Sequence, residues 1–161
     1  MTQDIKDFLK PKHGKTKQGY YIAKNVNKYK GDPSKIIFRS SWEYKFATWL
    51  DINDNVIEWA TEPFSIKYFY KADTKIHRYY PDFYFSMNVN GEIKKYIVEV
   101  KPSKDLRWPD KPKRITEKTE RNYYYQISQY TKNYDKWETI KQWCKANGFT
   151  FYFLTEHSKL F

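Results

Sequence analysis

The chain is short of the residues that several common chemistries need. It has one cysteine, Cys144, in 161 residues, so no internal disulfide can form, and a reducing compartment is expected. The three histidines, His13, His77 and His157, are dispersed, which leaves no Cys/His spacing of a zinc site. There are 5 glycines, and none builds the Gly-rich loop that cradles nucleotide phosphates. No apolar run approaches the roughly 20 residues of a membrane span. The N-terminus lacks the apolar stretch of a secretory signal, so neither a membrane protein nor an exported one is expected. Internal repeats and low-complexity tracts are absent as well.

What the chain does have is positive charge and aromatic rings. Lys and Arg number 30 against 19 Asp and Glu, a net charge of +11, and there are 6 Trp, 16 Tyr and 11 Phe. The length suits a single domain, and the rings can fill its core. The charge points to a polyanionic partner, nucleic acid first and an anionic membrane surface second. Residues 1–38 hold nine lysines, three aspartates and no arginine or glutamate. Pro11, Gly14, Gly19, Gly31 and Pro33 interrupt them, and Tyr20, Tyr21 and Tyr29 interleave. This segment reads either as a basic arm that follows phosphates, with Lys15, Lys17, Lys24 and Lys28 as contacts, or as a solvated tail or covering loop. A division into an arm, 1–38, and a domain, 39–161, follows from the first reading.

The domain is organised around one hairpin, from about Ile76 to Lys101. Asn90-Gly91 is the sequence of a type I′ turn, which needs φ > 0 at both central residues. A two-residue loop there makes Val89 and Glu92 opposite neighbours, and counting back puts Asp82 opposite Glu99 and Tyr80 opposite Lys101. Asp82, Glu99 and Lys101 then share one face with Tyr84 and Ile97. Like charges placed opposite each other destabilise a sheet, and a divalent cation between the two carboxylates would relieve the conflict. The alternative is a solvated sheet face with Lys101 as counter-ion. Pro81 and Pro102 interrupt the ladder beside these charges, and sheets are commonly interrupted near active sites.

Around the hairpin the other elements fall into place. Trp42, Phe46, Trp49 and Leu50 recur at helical spacing, and Ser40 with Glu43 forms a capping-box pattern. Glu43 also flanks the apolar stripe, so capping and catalytic placement both remain open. Val56–Tyr70 reads as an extended segment, a break at Pro63 and a strand. A loop of nearly 20 residues after Lys101 carries Lys104, Arg107, Lys113 and Arg114, and loops that long are usually functional or disordered. A helix follows from Thr116 or Thr119 to Asn147. Its stripe of Tyr123, Ile127, Tyr130, Tyr134, Trp137, Ile140 and Cys144 reads as core, with Asn133–Asp135 as a point where the helix could divide. Gly148 is placed to end it. Phe149–Leu154 reads as a buried central strand.

Glu43, then Pro81-Asp82, then Glu99-Val100-Lys101 after a hairpin resembles the PD-(D/E)XK nuclease superfamily, whose αβββαβ core also matches the element order. The resemblance implies an α/β fold with a mixed, restriction-endonuclease-like sheet. The stretches AKNVNKYKGDPSKIIFRSSWE, RYYPDFYF, VEVKP, KWETIKQWCKANGF and FLTE resemble the head completion nucleases of tailed bacteriophages and the TnsA-type transposition endonucleases. That likeness extends from about Tyr20 to Leu160. It implies an endodeoxyribonuclease that depends on Mg²⁺, with Mn²⁺ able to substitute, and that acts on packaged DNA during virion maturation. Glu43, Asp82, Glu99 and Lys101 are then catalytic. Asp82, Glu99 and the Val100 carbonyl are the metal ligands, and Glu43 either binds a second metal or holds the metal-bound water. Lys15, Lys17, Lys24, Lys28, Arg39, Lys104, Arg107, Lys113 and Arg114 are candidate DNA contacts. Gln126 and Tyr130 match the Gln-x-x-x-Tyr signature of the RecB-like branch, although Tyr130 also belongs to the apolar stripe. Where TnsA-type enzymes carry Gln, this chain has Glu99. Implied partners are double-stranded DNA and phage portal or head-neck proteins, in the host cytoplasm during assembly and with the virion afterwards. Two other readings stay open: a non-catalytic DNA-binding head or neck protein, and a repair, junction-resolving or restriction nuclease.

Overall fold

Ser40 sets the first helix: its hydroxyl accepts the Glu43 N–H at 3.1 Å. The computed structural model describes residues 18–158. In chain order its elements are β1 (Gly19–Tyr20), β2 (Ile37–Phe38), α1 (Ser41–Ile52), β3 (Val56–Thr61), β4 (Ile66–Tyr70), β5 (Lys75–Tyr79), β6 (Phe83–Val89), β7 (Glu92–Val100), α2 (Glu117–Asn147) and β8 (Thr150–Leu154). The main sheet has the order β3-β6-β7-β8, with β7 and β8 parallel and the other pairs antiparallel. Helix α1, the strands β3, β6 and β7, helix α2 and strand β8 form the αβββαβ core, into which the β4–β5 hairpin is inserted. The mixed α/β sheet with two helices is the architecture expected from the sequence.

Period-2 alternation sorts the sheet's side chains onto two faces. On one, Trp59, Phe83, Phe85, Val98 and Leu154 pack against Phe46, Ala47 and Leu50 of α1. On the other, Ile97 packs with Tyr68 and Tyr79 of the inserted hairpin and with Ile140 and Cys144 of α2.

The central turn forms as read, with φ of 54° at Asn90 and 86° at Gly91. The expected register runs from Val89↔Glu92 to Phe83↔Val98. There the ladder stops, so neither Asp82–Glu99 nor Tyr80–Lys101 is a ladder pair. Pro81 has no N–H to offer, and the Lys101 N–H goes instead to the Leu154 carbonyl at 2.9 Å. Residues before Pro81 belong to β5, which pairs with β4 rather than with β7.

Three further expectations are corrected, and one open alternative is decided. Helix α2 is continuous through Asn133–Asp135, and its buried residues are Asp135, Trp137, Ile140 and Cys144. The stripe from Tyr123 to Tyr134 is therefore not core. Among the described residues strand β8 pairs with β7 alone, so there it is an edge strand despite its apolar sequence. The described part of the supposed arm is a covering loop, because Tyr21, Ile36 and Phe38 are buried. Lys15 and Lys17 lie outside the described residues.

Asp51 ties this loop to α1. Its carboxylate is fully buried and accepts the Tyr21 hydroxyl at 2.9 Å and the N–H groups of Lys24 at 2.7 Å and Asn25 at 2.8 Å. Hydrogen bonds to a charged acceptor contribute about 1.5–3 kcal/mol each, and stranding buried donors adds a penalty. Asp51→Ala is expected to cost about 3 kcal/mol or more in urea denaturation. A loss below about 0.5 kcal/mol, the level of an ordinary surface change, would show that the loop is held by its apolar residues alone.

Candidate active site

Two carboxylates meet at the point where the ladder gives way. Asp82 lies in the bend between β5 and β6. Its carbonyl accepts the Glu62 N–H at 3.0 Å, and its carboxylate accepts the Val100 N–H at 2.7 Å. That bond fixes Asp82 against the strand that carries Glu99. Glu99 is 5% exposed. One of its oxygens accepts the Tyr79 hydroxyl in a short hydrogen bond, and the other stands 3.4 Å from the Lys101 ammonium. Adjacency thus comes from a side-chain-to-backbone bond where the sequence pattern suggested cross-strand pairing.

Burial pushes the Asp82 carboxyl well above the usual carboxylate range, and the Glu99 charge adds to the shift. The Val100 N–H and Lys101 oppose it, while the charge of Glu43 reinforces it. Glu43 is itself raised, first by burial, against hydrogen bonds from Arg39 and Ser40. Those bonds are 2.7 Å from the Arg39 N–H and 3.0 Å from the Ser40 hydroxyl. Glu43 therefore caps α1, and its charge also reaches Asp82. Asp82 thus feels the charges of both Glu99 and Glu43 in a poorly solvated place, with Lys101 as an opposing cation.

Sequence reasoning missed two members of this cluster. Tyr79, from the inserted hairpin, holds Glu99. Lys136, from α2, puts its ammonium 5.7 Å from the centre of the Tyr79 ring. Burial lowers its pKa, and the Glu99 charge partly offsets this. No motif marks either residue. Tyr79→Phe would leave buried Glu99 short of a donor, and a loss of about 1–3 kcal/mol is expected by urea denaturation; an unchanged midpoint would mean that water replaces the hydroxyl freely.

Residues 53–156 match the family model described as TnsA-like endonuclease N terminal. The chain belongs to the TnsA-like endonuclease family. It is also 36% identical over 138 residues to the head completion nuclease of Enterobacteria phage T4, covering 86% of this chain and 90% of that one. No solved structure matches. The matched family segment contains Asp82, Glu99 and Lys101 but begins after Glu43.

The candidate DNA contacts of this TnsA-like nuclease differ in what surrounds them. The Lys28 ammonium donates to the carbonyls of Asp51 at 3.3 Å and Asn53 at 2.8 Å, so it caps the C-terminal end of α1. Lys24 gives its N–H to Asp51, and the Arg39 guanidinium pairs with Glu62. Lys113 and Arg114 are exposed ahead of α2. Lys104 and Arg107 line a cleft of about 600 Å³ with Lys101, and Gln126 and Tyr130 form part of its far wall.

The donor set fits a hard divalent cation. Among the described residues no three Asp, Glu, His or Cys side chains converge as a ready-made metal cage. Mg²⁺ does not need one: it keeps several waters and takes one or two carboxylates. Asp82 and Glu99 could supply those oxygens, and their charge conflict is the kind that such an ion relieves.

Proposed function

We propose that this chain is a Mg²⁺-dependent DNA endonuclease of the head completion type, acting on packaged DNA as the phage head matures. The observation that carries the reading is the pair of partly buried Asp82 and buried Glu99, with Glu43 beside Asp82 and Lys101 against Glu99. Asp82, Glu99 and the Val100 carbonyl would hold the ion. Bound there, Mg²⁺ supplies an acidified water and offsets charge on the phosphate; Mn²⁺ is expected to substitute. Lys101 orients the attacking water and stabilises the charge that develops on the phosphate oxygens. Glu43 holds the water from the α1 side. Lys104, Lys113 and Arg114 attract the phosphate backbone, which gives affinity with little sequence preference, while Arg107 is paired to Asp110. Portal or head-neck proteins are the expected virion partners, met in the host cytoplasm during assembly.

The test is incubation of the purified protein with supercoiled plasmid, with Mg²⁺ or with chelator. Nicked and linear products at random positions are expected only with the ion. Tight DNA binding without cleavage in any divalent cation would instead support a non-catalytic head protein, and discrete fragments would support a restriction-type enzyme.

A further inference from the structure

The cleft beside Lys101 is not built like a phosphate groove. One wall is the first half of α2, which buries none of its side chains. Asn122, Gln126, Gln129 and Asn133 all line the cleft, and their spacing puts them on one helical stripe. Among the described residues none of these four carboxamides has a side-chain hydrogen-bond partner, so a row of donors and acceptors stands unused. Tyr125 on the same wall is 62% exposed, and Trp108 on the opposite lip is 52% exposed. Trp108 sets its edge against Tyr130, with ring centres 5.4 Å apart and an interplanar angle of 73°. The lip is weakly charged overall, because Asp105 and Asp110 line it with Lys104 and Arg107, and Arg107 is paired to Asp110 at 3.0 Å.

A duplex backbone would call for a run of free cations here. Ring faces and carboxamides are the partners of base faces and base edges. Stacked, paired bases hide both, whereas unpaired nucleotides present them. A volume of about 600 Å³ also lies in the range of roughly 300–1,000 Å³ that suits groups of about nucleotide size. Lys101 at the inner end connects the cleft to the acid cluster.

We propose that this cleft binds unpaired nucleotides of a DNA strand, so that the enzyme prefers DNA with single-stranded ends or branches to continuous duplex. The inference rests on the nuclease reading and names its substrate class. Trp108 and Tyr125 stack on the bases, the carboxamides of α2 contact their edges, and Lys104 holds the connecting phosphate.

The experiment uses the full chain carrying Asp82→Asn, so that substrate survives. Its affinity is measured by fluorescence anisotropy for a blunt duplex and for the same duplex with a short single-stranded tail. The tailed DNA is expected to bind about tenfold tighter, the order of one base stacked on one ring. Adding Trp108→Ala should remove that advantage, and Trp108→Phe should keep most of it. Because Trp108 is exposed, the melting temperature of Trp108→Ala should stay level, which confirms that the variant is folded. Equal affinity for the two DNAs overturns the proposal, and so does a tail preference that survives Trp108→Ala. Plasmid cleavage by the wild-type chain reports separately. Cleavage without tail preference sinks the cleft assignment alone, and tail preference without cleavage sinks the nuclease reading alone. A cleft that holds a protein segment would show neither tail preference nor dependence on Trp108.

Discussion

Asp82→Asn is expected to lower plasmid cleavage at least about 10³-fold, the scale for loss of a main source of electrostatic catalysis, while DNA affinity holds or rises. Asparagine keeps the shape and can still accept the Val100 N–H, but it lacks the charge that holds a divalent ion. The same substitution should raise thermal stability in chelator at pH 7. Burial and the Glu99 charge raise the folded-state pKa of Asp82. The native state therefore binds the proton more tightly than the unfolded chain. Stability is present at low pH and falls as pH climbs through the raised value. Asparagine removes that loss, so the gain in melting temperature should be clear at pH 7 and vanish below about pH 4, near the unfolded carboxylate value. Added Mg²⁺ should stabilise the wild type and leave the variant almost unmoved, since only the wild type binds it well. Full activity of Asp82→Asn in excess Mg²⁺ would overturn the nuclease assignment.

The parts of this fold that could be read from sequence are those fixed locally. Asn90-Gly91 dictates a turn whatever surrounds it, and the turn sets the register of every pair up to Phe83↔Val98. Ser40 and Gly148 mark helix ends through their own backbone chemistry, with Gly148 at φ 73°. The errors lie where two partners compete for one segment. Ile76–Tyr79 has the same alternation whether it pairs with β7 or with β4, and only the three-dimensional path past Pro81 decides. Asn133–Asp135 carries weak helix formers but no breaker, and buried Asp135 accepts the Lys71 N–H at 3.0 Å, a distant contact that favours an unbroken helix. Strand β8 can be apolar at an edge because α2 covers one of its faces, with Trp137 against Phe153 at 4.9 Å between ring centres, so its apolar residues report face burial and not a central place in the ladder. At the site, the juxtaposition of Asp82, Glu99 and Lys101 could be read from the hairpin. Tyr79 and Lys136 arrive from the inserted hairpin and from the middle of α2, and nothing in their sequence neighbourhood announces the acids they approach.

Lys101→Met gives the opposite pattern of stability, and this separates two roles for one ammonium. In the structure Lys101 stands 3.4 Å from a Glu99 oxygen, and its side chain is 25% exposed. If it served only as counter-ion to the acid pair, a divalent cation would replace it, and saturating Mg²⁺ would restore cleavage. If it acts on the reacting phosphate or its water, no amount of ion substitutes for it. The second outcome is expected: cleavage down about 10²–10³-fold at saturating Mg²⁺, the size of losing one aligned donor to developing charge. In chelator the variant should melt lower than wild type, because Asp82 and Glu99 lose their nearest cation; Asp82→Asn should melt higher. Mg²⁺ should stabilise Lys101→Met at least as strongly as wild type, since an ammonium is no metal ligand and its removal deepens the negative potential that draws the ion. Wild-type cleavage by Lys101→Met in saturating Mg²⁺ would reduce Lys101 to charge balance and pass the catalytic cation's role to Lys136, an ammonium that also feels the Glu99 and Asp82 charges.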